Sequence, residues 1–275
     1  MPHVKPLERV RAGMREEGID FLLVRSTDPY LNEYVPPEDA QRAWLTGFTG
    51  SMGEALVGHT EAWLVVDGRY WDQAEAQSGA DWTIVKAEGS GSIDGHLRGV
   101  LARVGGSGVV IGYPSDRVTP GTLQSLAKGV AGSWKPLSKD RVGAAWEASG
   151  QRPAPNPPSV RAVAEASLGG DVASRLDAVF SSLPDDIDGW LVQPLDDIAW
   201  LTGLRGEGLP YQATFRARAV ATRDEVRLNT EAQVPAQAGV RPVAFDALVS
   251  HTGLGELLGF DLLMSTDHDV QRQHA

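Results

Sequence analysis

Cysteine is absent from all 275 residues. That excludes disulfides, thiolate metal centres and cysteine nucleophiles, and it fits a reducing, cytoplasmic setting. Long apolar runs are absent as well: no stretch approaches the roughly 18 residues that a membrane span needs. The first eleven residues mix His, Lys, Glu and Arg with short apolar side chains, so they hold no signal-peptide core, and no membrane partner is expected. Positive charge is in short supply, with 25 Lys and Arg against 36 Asp and Glu and a formal net charge of −11. A nucleic-acid binder displaces phosphate counterions with a basic face, so no nucleic-acid partner is expected either. None of the six histidines (His3, His59, His96, His251, His268 and His274) sits in a His-Glu-x-x-His or His-x-x-x-His pair, the spacing that puts two metal ligands on one helix face. Gly105-Gly106-Ser107-Gly108 precedes an apolar run, whereas a phosphate loop follows a strand and opens a helix. No Gly-x-Ser-x-Gly elbow occurs. The pattern therefore offers no catalytic residue, no metal ligand and no cofactor site.

What is there belongs to a folded α/β protein. The hydrophobic fraction of 42% and the charged fraction of 22% are globular values, and most of the eight tryptophans are expected in the core. Leu7, Val10 and Met14 form one apolar stripe, ended by Gly18 in the place of a left-handed cap. Apolar runs at Phe21–Val24, Ala62–Val66, Trp82–Val85 and Val109–Ile111 read as strands. Leu97, Val100, Leu101 and Val104 mark a helix between the last two, and Thr119-Pro120 opens another. Strands alternating with helices predict an α/β fold.

Pro153, Pro155, Pro157 and Pro158 lie in a polar stretch that reads as a stiff connector. The boundary is placed there, giving domains at 1–158 and 159–275. Beyond it the order repeats. Asp171 caps a helix with Val172, Leu176, Val179 and Leu183. Ile187-Asp188-Gly189-Trp190-Leu191-Val192 then matches Ile19-Asp20-Phe21-Leu22-Leu23-Val24, and Trp200-Leu201-Thr202-Gly203 matches Trp44-Leu45-Thr46-Gly47. Two motifs in the same order predict two domains of one fold related by duplication.

Some acids could suggest chemistry. Asp185, Asp186, Asp188, Asp196 and Asp197 could hold metal ions for hydrolysis. The competing reading places the first three in a turn and makes Asp196 or Asp197 a helix cap. Asp267-His268-Asp269 resembles a ligand cluster but lies in a polar tail, where fraying is the better account. Two further segments ask for a reason: Glu33 to Trp44, leading into Gly47-Phe48-Thr49-Gly50-Ser51, and Asp67-Gly68-Arg69-Tyr70. Each is either an ordinary loop with an internal salt bridge or a ligand-facing edge after a strand. Arg69 is expected to pair with a carboxylate and, as a partly buried charge, to help hold the fold.

Those segments resemble a known family. Glu-Tyr-x-x-Pro-x-Asp-Ala-x-Arg, then Gly-Phe-Thr-Gly-Ser and Asp-Gly-Arg-Tyr, is similar to the first domain of the Xaa-Pro aminopeptidases. Ala145-Trp146 and Gln151-Arg152-Pro153 are similar to its connector, and Asp196 to Leu201, Leu204-Arg205-Gly206 and Pro210-Tyr211 to its second domain. Glu207-Gly208, and Gln212-Ala213 where relatives often have Asn-Pro, depart from the pattern. The resemblance implies two creatinase N-terminal-type domains of ribonuclease-H-like topology in tandem. It also implies that the dinuclear metal centre belongs to a third, pita-bread domain whose ligands have no counterpart in these residues. By the same carry-over Glu33, Tyr34 and Arg69 face the substrate mouth. The expected protein is a non-catalytic or truncated homologue, acting through self-association as a homo-oligomer or through a metallopeptidase catalytic domain. The alternatives are a peptide-binding module for Xaa-Pro termini and a metal-dependent nuclease-type hydrolase using the Asp185–Asp197 acids.

Overall fold

The computed structural model describes residues 5–89, 92–156 and 158–244, with the backbone of a further strand at 263–265. His3, His251, His268, His274, Pro157 and the Asp267–Asp269 cluster lie outside the described residues. The chain divides into two compact units, Met1–Ala154 and Pro155–Ala275.

In the first unit, helix α1 (Pro6–Glu17) begins with proline at its first position and buries Leu7, Val10 and Met14. It stops at Gly18, whose φ of 65° is left-handed, and the amides of Gly18 and Ile19 return to Arg15 and Met14. Strand β1 (Phe21–Val24) follows, then a 3-10 turn at Pro37–Asp39, α2 (Gln41–Thr46), β2 (Glu54–Gly58), β3 (Ala62–Asp67), α3 (Trp71–Gln77) and β4 (Thr83–Ala87). The unit closes with α4 (Ile93–Val104), β5 (Val110–Tyr113), α5 (Pro120–Ala127), β6 (Ser133–Pro136) and α6 (Arg141–Glu147). The six strands form one mixed sheet in the order β4-β3-β2-β1-β5-β6. Side chains alternate across it. Leu22 and Val24 join Leu7, Val10 and Met14 of α1 in one core, while Leu23 packs with Leu97 and Leu101 of α4 in the other.

The second unit contains β7 (Ser159–Ala162), α7 (Val172–Ser181), β8 (Trp190–Val192), α8 (Leu195–Thr202), β9 (Leu204–Glu207), β10 (Arg218–Ala221), β11 (Val226–Asn229), β12 (Val240–Pro242) and β13 (Leu263–Ser265). Its main sheet runs β12-β11-β10-β8-β13, and β7 pairs separately with β9. Strand for strand this is the order β4-β3-β2-β1-β5. The directions agree as well: β8 is antiparallel to β10 and parallel to β13, as β1 is to β2 and β5. The repeated Trp-Leu-Thr-Gly motif explains itself locally. Thr46 donates to the Arg42 carbonyl at 2.8 Å and accepts from the Phe48 amide, and Thr202 donates to the Ile198 carbonyl at 2.6 Å and accepts from the Leu204 amide. Gly47 and Gly203 then turn the chain at φ of 78° and 68°. Both copies end a short helix with the same hydroxyl and the same left-handed glycine.

Caps expected from sequence are present at Thr119 and Asp171, whose side chains accept from the amides of Thr122 and Ser174. Asp196 and Asp197 differ from expectation. Pro194 holds the cap position of α8, so these acids lie inside its first turn, where they complement the helix dipole. Most of the tryptophans meet the core as expected: Trp82 and Trp146 are buried and Trp44, Trp63, Trp71 and Trp134 are half-buried against it, while Trp190 is half-buried and Trp200 is 42% exposed.

Candidate functional site

The strand order places one end of the first sheet apart from the other. From β1 the chain steps outward through β2, β3 and β4, then returns to the far side of β1 for β5 and β6. The carboxyl end of β1 is thus the topological switch point, where α/β sheets open a crevice for ligands. The register Val24↔Ala55, Glu54↔Val65 and Asp67↔Ala87 brings the ends of β1, β3 and β4 and the start of β2 to this one edge. The loops holding Glu33, Tyr34, Ser51 and Arg69 all leave from it.

The loop after β1 is built on a buried carboxylate. Asp28 has no exposed surface and accepts from the amides of Tyr30 and Asn32 at 2.9 and 3.0 Å and from the Asn32 side chain at 2.6 Å. Arg117 donates to the Thr27 carbonyl at 2.7 Å from the β5 side. Leu31 takes a left-handed φ of 60°, a conformation that costs a branched residue on the order of 1 kcal/mol and persists only where its surroundings enforce it. Glu33 and Tyr34 follow directly, both exposed.

Arg42 has the role that sequence reasoning missed. It lies in α2 on the same face as Leu45 and Thr46, and that spacing sends its guanidinium inward. Its Nε donates to Ser26 Oγ at 2.6 Å, its Nη1 to the Phe48 carbonyl at 2.8 Å and its Nη2 to the Gly50 carbonyl. It also stacks 4.8 Å from the Phe48 ring. Burial pulls its pKa down to about 10, against the opposing pull of Glu54 and Tyr70. The Gly-Phe-Thr-Gly-Ser loop is therefore folded around a cation. Its outer side is tied to α3, with the Thr49 amide donating to Gln77 Oε1 at 2.9 Å and Ser51 Oγ lying 2.8 Å from Tyr70 Oη.

Glu54, at the start of β2, is fully enclosed. Burial raises its pKa to about 7, with Arg25 opposing the rise and Asp94 adding to it. Arg25 Nη1 donates to Asp94 at 2.9 Å, while Arg25 Nε lies 3.5 Å from Glu54 Oε2 without a hydrogen bond.

Arg69 pairs with a carboxylate as expected, but not as a buried charge. Its Nε and Nη2 meet Asp67 Oδ1 and Oδ2 at 3.0 and 2.8 Å, its guanidinium lies 5.1 Å over Tyr70, and its side chain is 66% exposed. The Asp67 carboxyl is held below its ordinary range by the Arg69 hydrogen bonds, and Arg69 is raised in return. The exposure follows from position: Arg69 is the second residue after β3, on the rim of the turn that leads into α3.

The acids of the second unit do not form one site. Asp185, Asp186 and Asp188 precede β8 and Asp196 and Asp197 follow it, so the strand alone sets the two groups roughly 10 Å apart at opposite ends. Among the described residues no group of three or more His, Cys, Asp or Glu could hold a metal ion, and no helix is long and apolar enough to cross a membrane. The described residues do not fit a dinuclear metal centre.

Two models described as creatinase/prolidase N-terminal domain match residues 6–141 and 151–244. The probable Xaa-Pro aminopeptidase P of Pyrenophora teres f. teres is 33% identical over 220 residues, covering 78% of this chain and 33% of its own length. That of Aspergillus fumigatus is 32% identical over 228 residues, covering 82% of this chain and 34% of its own. The chain thus spans about a third of the length of the curated relatives it matches. The crystal structure of an X-prolyl aminopeptidase from Caenorhabditis elegans, described as a cytosolic enzyme with a di-nuclear active site, superposes with a TM-score of 0.81. It covers 94% of this chain and 45% of that one at 21% identity, a likeness of fold.

Proposed function

Because the chain belongs to the creatinase/prolidase N-terminal domain family, we propose that its 275 residues act as the non-catalytic N-terminal part of an Xaa-Pro aminopeptidase system in the cytoplasm. In this reading the first unit presents the carboxyl end of its sheet, with Glu33, Tyr34 and Arg69, to the N-terminal segment of an Xaa-Pro peptide. The metal chemistry comes from a metallopeptidase domain with which the chain associates, alone or as a homo-oligomer. The observation that carries this is the match itself, which takes in some four fifths of this chain and a third of its relatives. The switch-point geometry supports it, since the same residues lie where an α/β sheet opens to a ligand.

Elemental analysis after dialysis is the test. Less than one tightly bound divalent metal per chain, with no cleavage of Xaa-Pro peptides, is expected. Stoichiometric manganese or zinc with cleavage by the pure chain would overturn the proposal. A second reading, peptide capture without chemistry, is favoured by the exposed Tyr34 beside Glu33. Calorimetry with Xaa-Pro peptides, with and without a metallopeptidase domain, separates the two: full-strength binding by the chain alone supports capture, and binding that strengthens only when the metallopeptidase domain is present supports the first reading. The nuclease alternative loses its footing because its acids lie at opposite ends of β8.

A further inference from the structure

The cluster beneath the proposed mouth is built in an unusual way. Glu54 is a buried carboxylate whose Oε1 receives only a long 3.5 Å contact from the Ser26 amide and whose Oε2 has no hydrogen bond. The nearest cation, Arg25, is shared: its Nη1 is committed to Asp94, in the first turn of α4, and only its misaligned Nε faces Glu54. Arg42 stands behind, with its donors spent on Ser26 Oγ and two carbonyls, and Tyr70 lies beyond Arg42. Ser26 joins the groups, since its amide faces Glu54, its hydroxyl donates to the Gly53 carbonyl and its oxygen accepts from Arg42. A buried carboxylate normally recruits two or three strong donors. This one has a single weak amide and half of an arginine, so it is poised to take up a proton.

We propose that Arg25, Glu54 and Asp94 form a proton-controlled latch on the loop that carries Glu33 and Tyr34. With Glu54 protonated, the neutral carboxyl stays buried, Arg25 turns to Asp94, and the root of the loop, Arg25-Ser26, stays packed against the sheet. With Glu54 ionised, its charge meets only the long Ser26 amide contact and the misaligned Arg25 Nε, so it is drawn toward water and the loop root loosens. The elevated Glu54 pKa of about 7 places the change within the physiological range. The latch depends on the proposed mouth for its purpose but not for its existence, so the two fail separately.

The absence of cysteine makes the test clean. A Glu33→Cys chain has a single thiol, to which a nitroxide spin label is attached, and label mobility is followed from about pH 8.5 to about pH 5.5. Mobility is expected to rise as pH rises, with a midpoint near 7. Glu54→Gln in the same background mimics the protonated form and should hold the label in its low-pH, less mobile state throughout, with no transition. Asp94→Asn, at a half-buried position in the first turn of α4, should fold normally and move the midpoint downward. It removes the like charge and frees Arg25 for Glu54. A flat profile in the parent, or an Asp94→Asn midpoint that is unmoved or raised, overturns the latch. Failure of Xaa-Pro peptides to bind would count against the mouth and would leave this titration as it is.

Discussion

Two arginines on one sheet edge have opposite energetic roles. Arg42 is enclosed and spends its donors on two carbonyls and a hydroxyl. Arg42→Ala strands those acceptors in a dry interior, and a loss of about 3 kcal/mol in urea unfolding is expected. Arg42→Lys should recover only part of it, because an ammonium cannot reproduce the planar fork. Arg69 faces water, and its pair with Asp67 is solvent-screened. Arg69→Ala should therefore leave the thermal midpoint within about a degree of the parent. A larger drop would mean that the Asp67-Arg69-Tyr70 turn supports the fold after all. Glu17 supplies the acid-side counterpart of Glu54. Hydrogen bonds from Ser138 lead, ahead of those from Arg141, in pulling its pKa down to about 2 against the cost of burial. A carboxyl with a lowered folded pKa stabilises above its unfolded value of 4.5, and that contribution is lost as pH falls through about 2. Glu54, raised to about 7, has the opposite sign: its contribution is present below 4.5 and lost as pH rises through about 7. Glu17→Gln should flatten the acid limb of the stability profile and leave the neutral limb unchanged, as read from unfolding midpoints across pH.

At the scale of elements, local chemistry made some pieces legible and tertiary burial hid others. Helix α1 could be read because its stripe, its proline and its left-handed glycine agree, and α7 because Asp171 caps it ahead of a spaced apolar face. Strand β2 could not, because Glu54-Ala55-Leu56-Val57-Gly58 is buried on every residue and has no alternation, and it starts with a charged side chain. The candidate site was legible only in outline. Motif order singled out the loops after β1 and β3, and Glu33, Tyr34 and Arg69 stood out in them as polar residues, while Arg42, the residue that folds the Gly47–Ser51 loop, entered only as one letter of the motif. Its phase with Leu45 was the available signal. The Gly47–Ser51 loop offers a sharp test. A Cβ on Gly50 would press into the Phe48 ring and come within 2.8 Å of Tyr70. Gly50→Ala should cost on the order of 1–3 kcal/mol by overpacking. A neutral result would show that the loop closes around Arg42 more loosely than the geometry implies.

For the whole molecule, the recurrence of β4-β3-β2-β1-β5 as β12-β11-β10-β8-β13 makes each unit a sheet with its own reversal point. The first unit extends it with β6 and α6. The core clusters of the first unit lie within its own span, so residues 1–154 expressed alone are expected to unfold in one cooperative transition by circular dichroism, at a midpoint close to that of the first unit in the full chain. A molten, non-cooperative fragment would show that the first unit cannot stand alone.

The small β7–β9 ladder decides where the polypeptide can be divided. Ser159–Ala162 pairs with Leu204–Glu207 in the opposite direction, so the opening residues of the second unit supply the backbone partner for a strand more than forty positions later. A cut at 154/155 leaves that ladder whole. A cut only ten residues further on would leave β9 as a bare edge with its amides and carbonyls open to any passing strand, and the shorter fragment would be the one that precipitates.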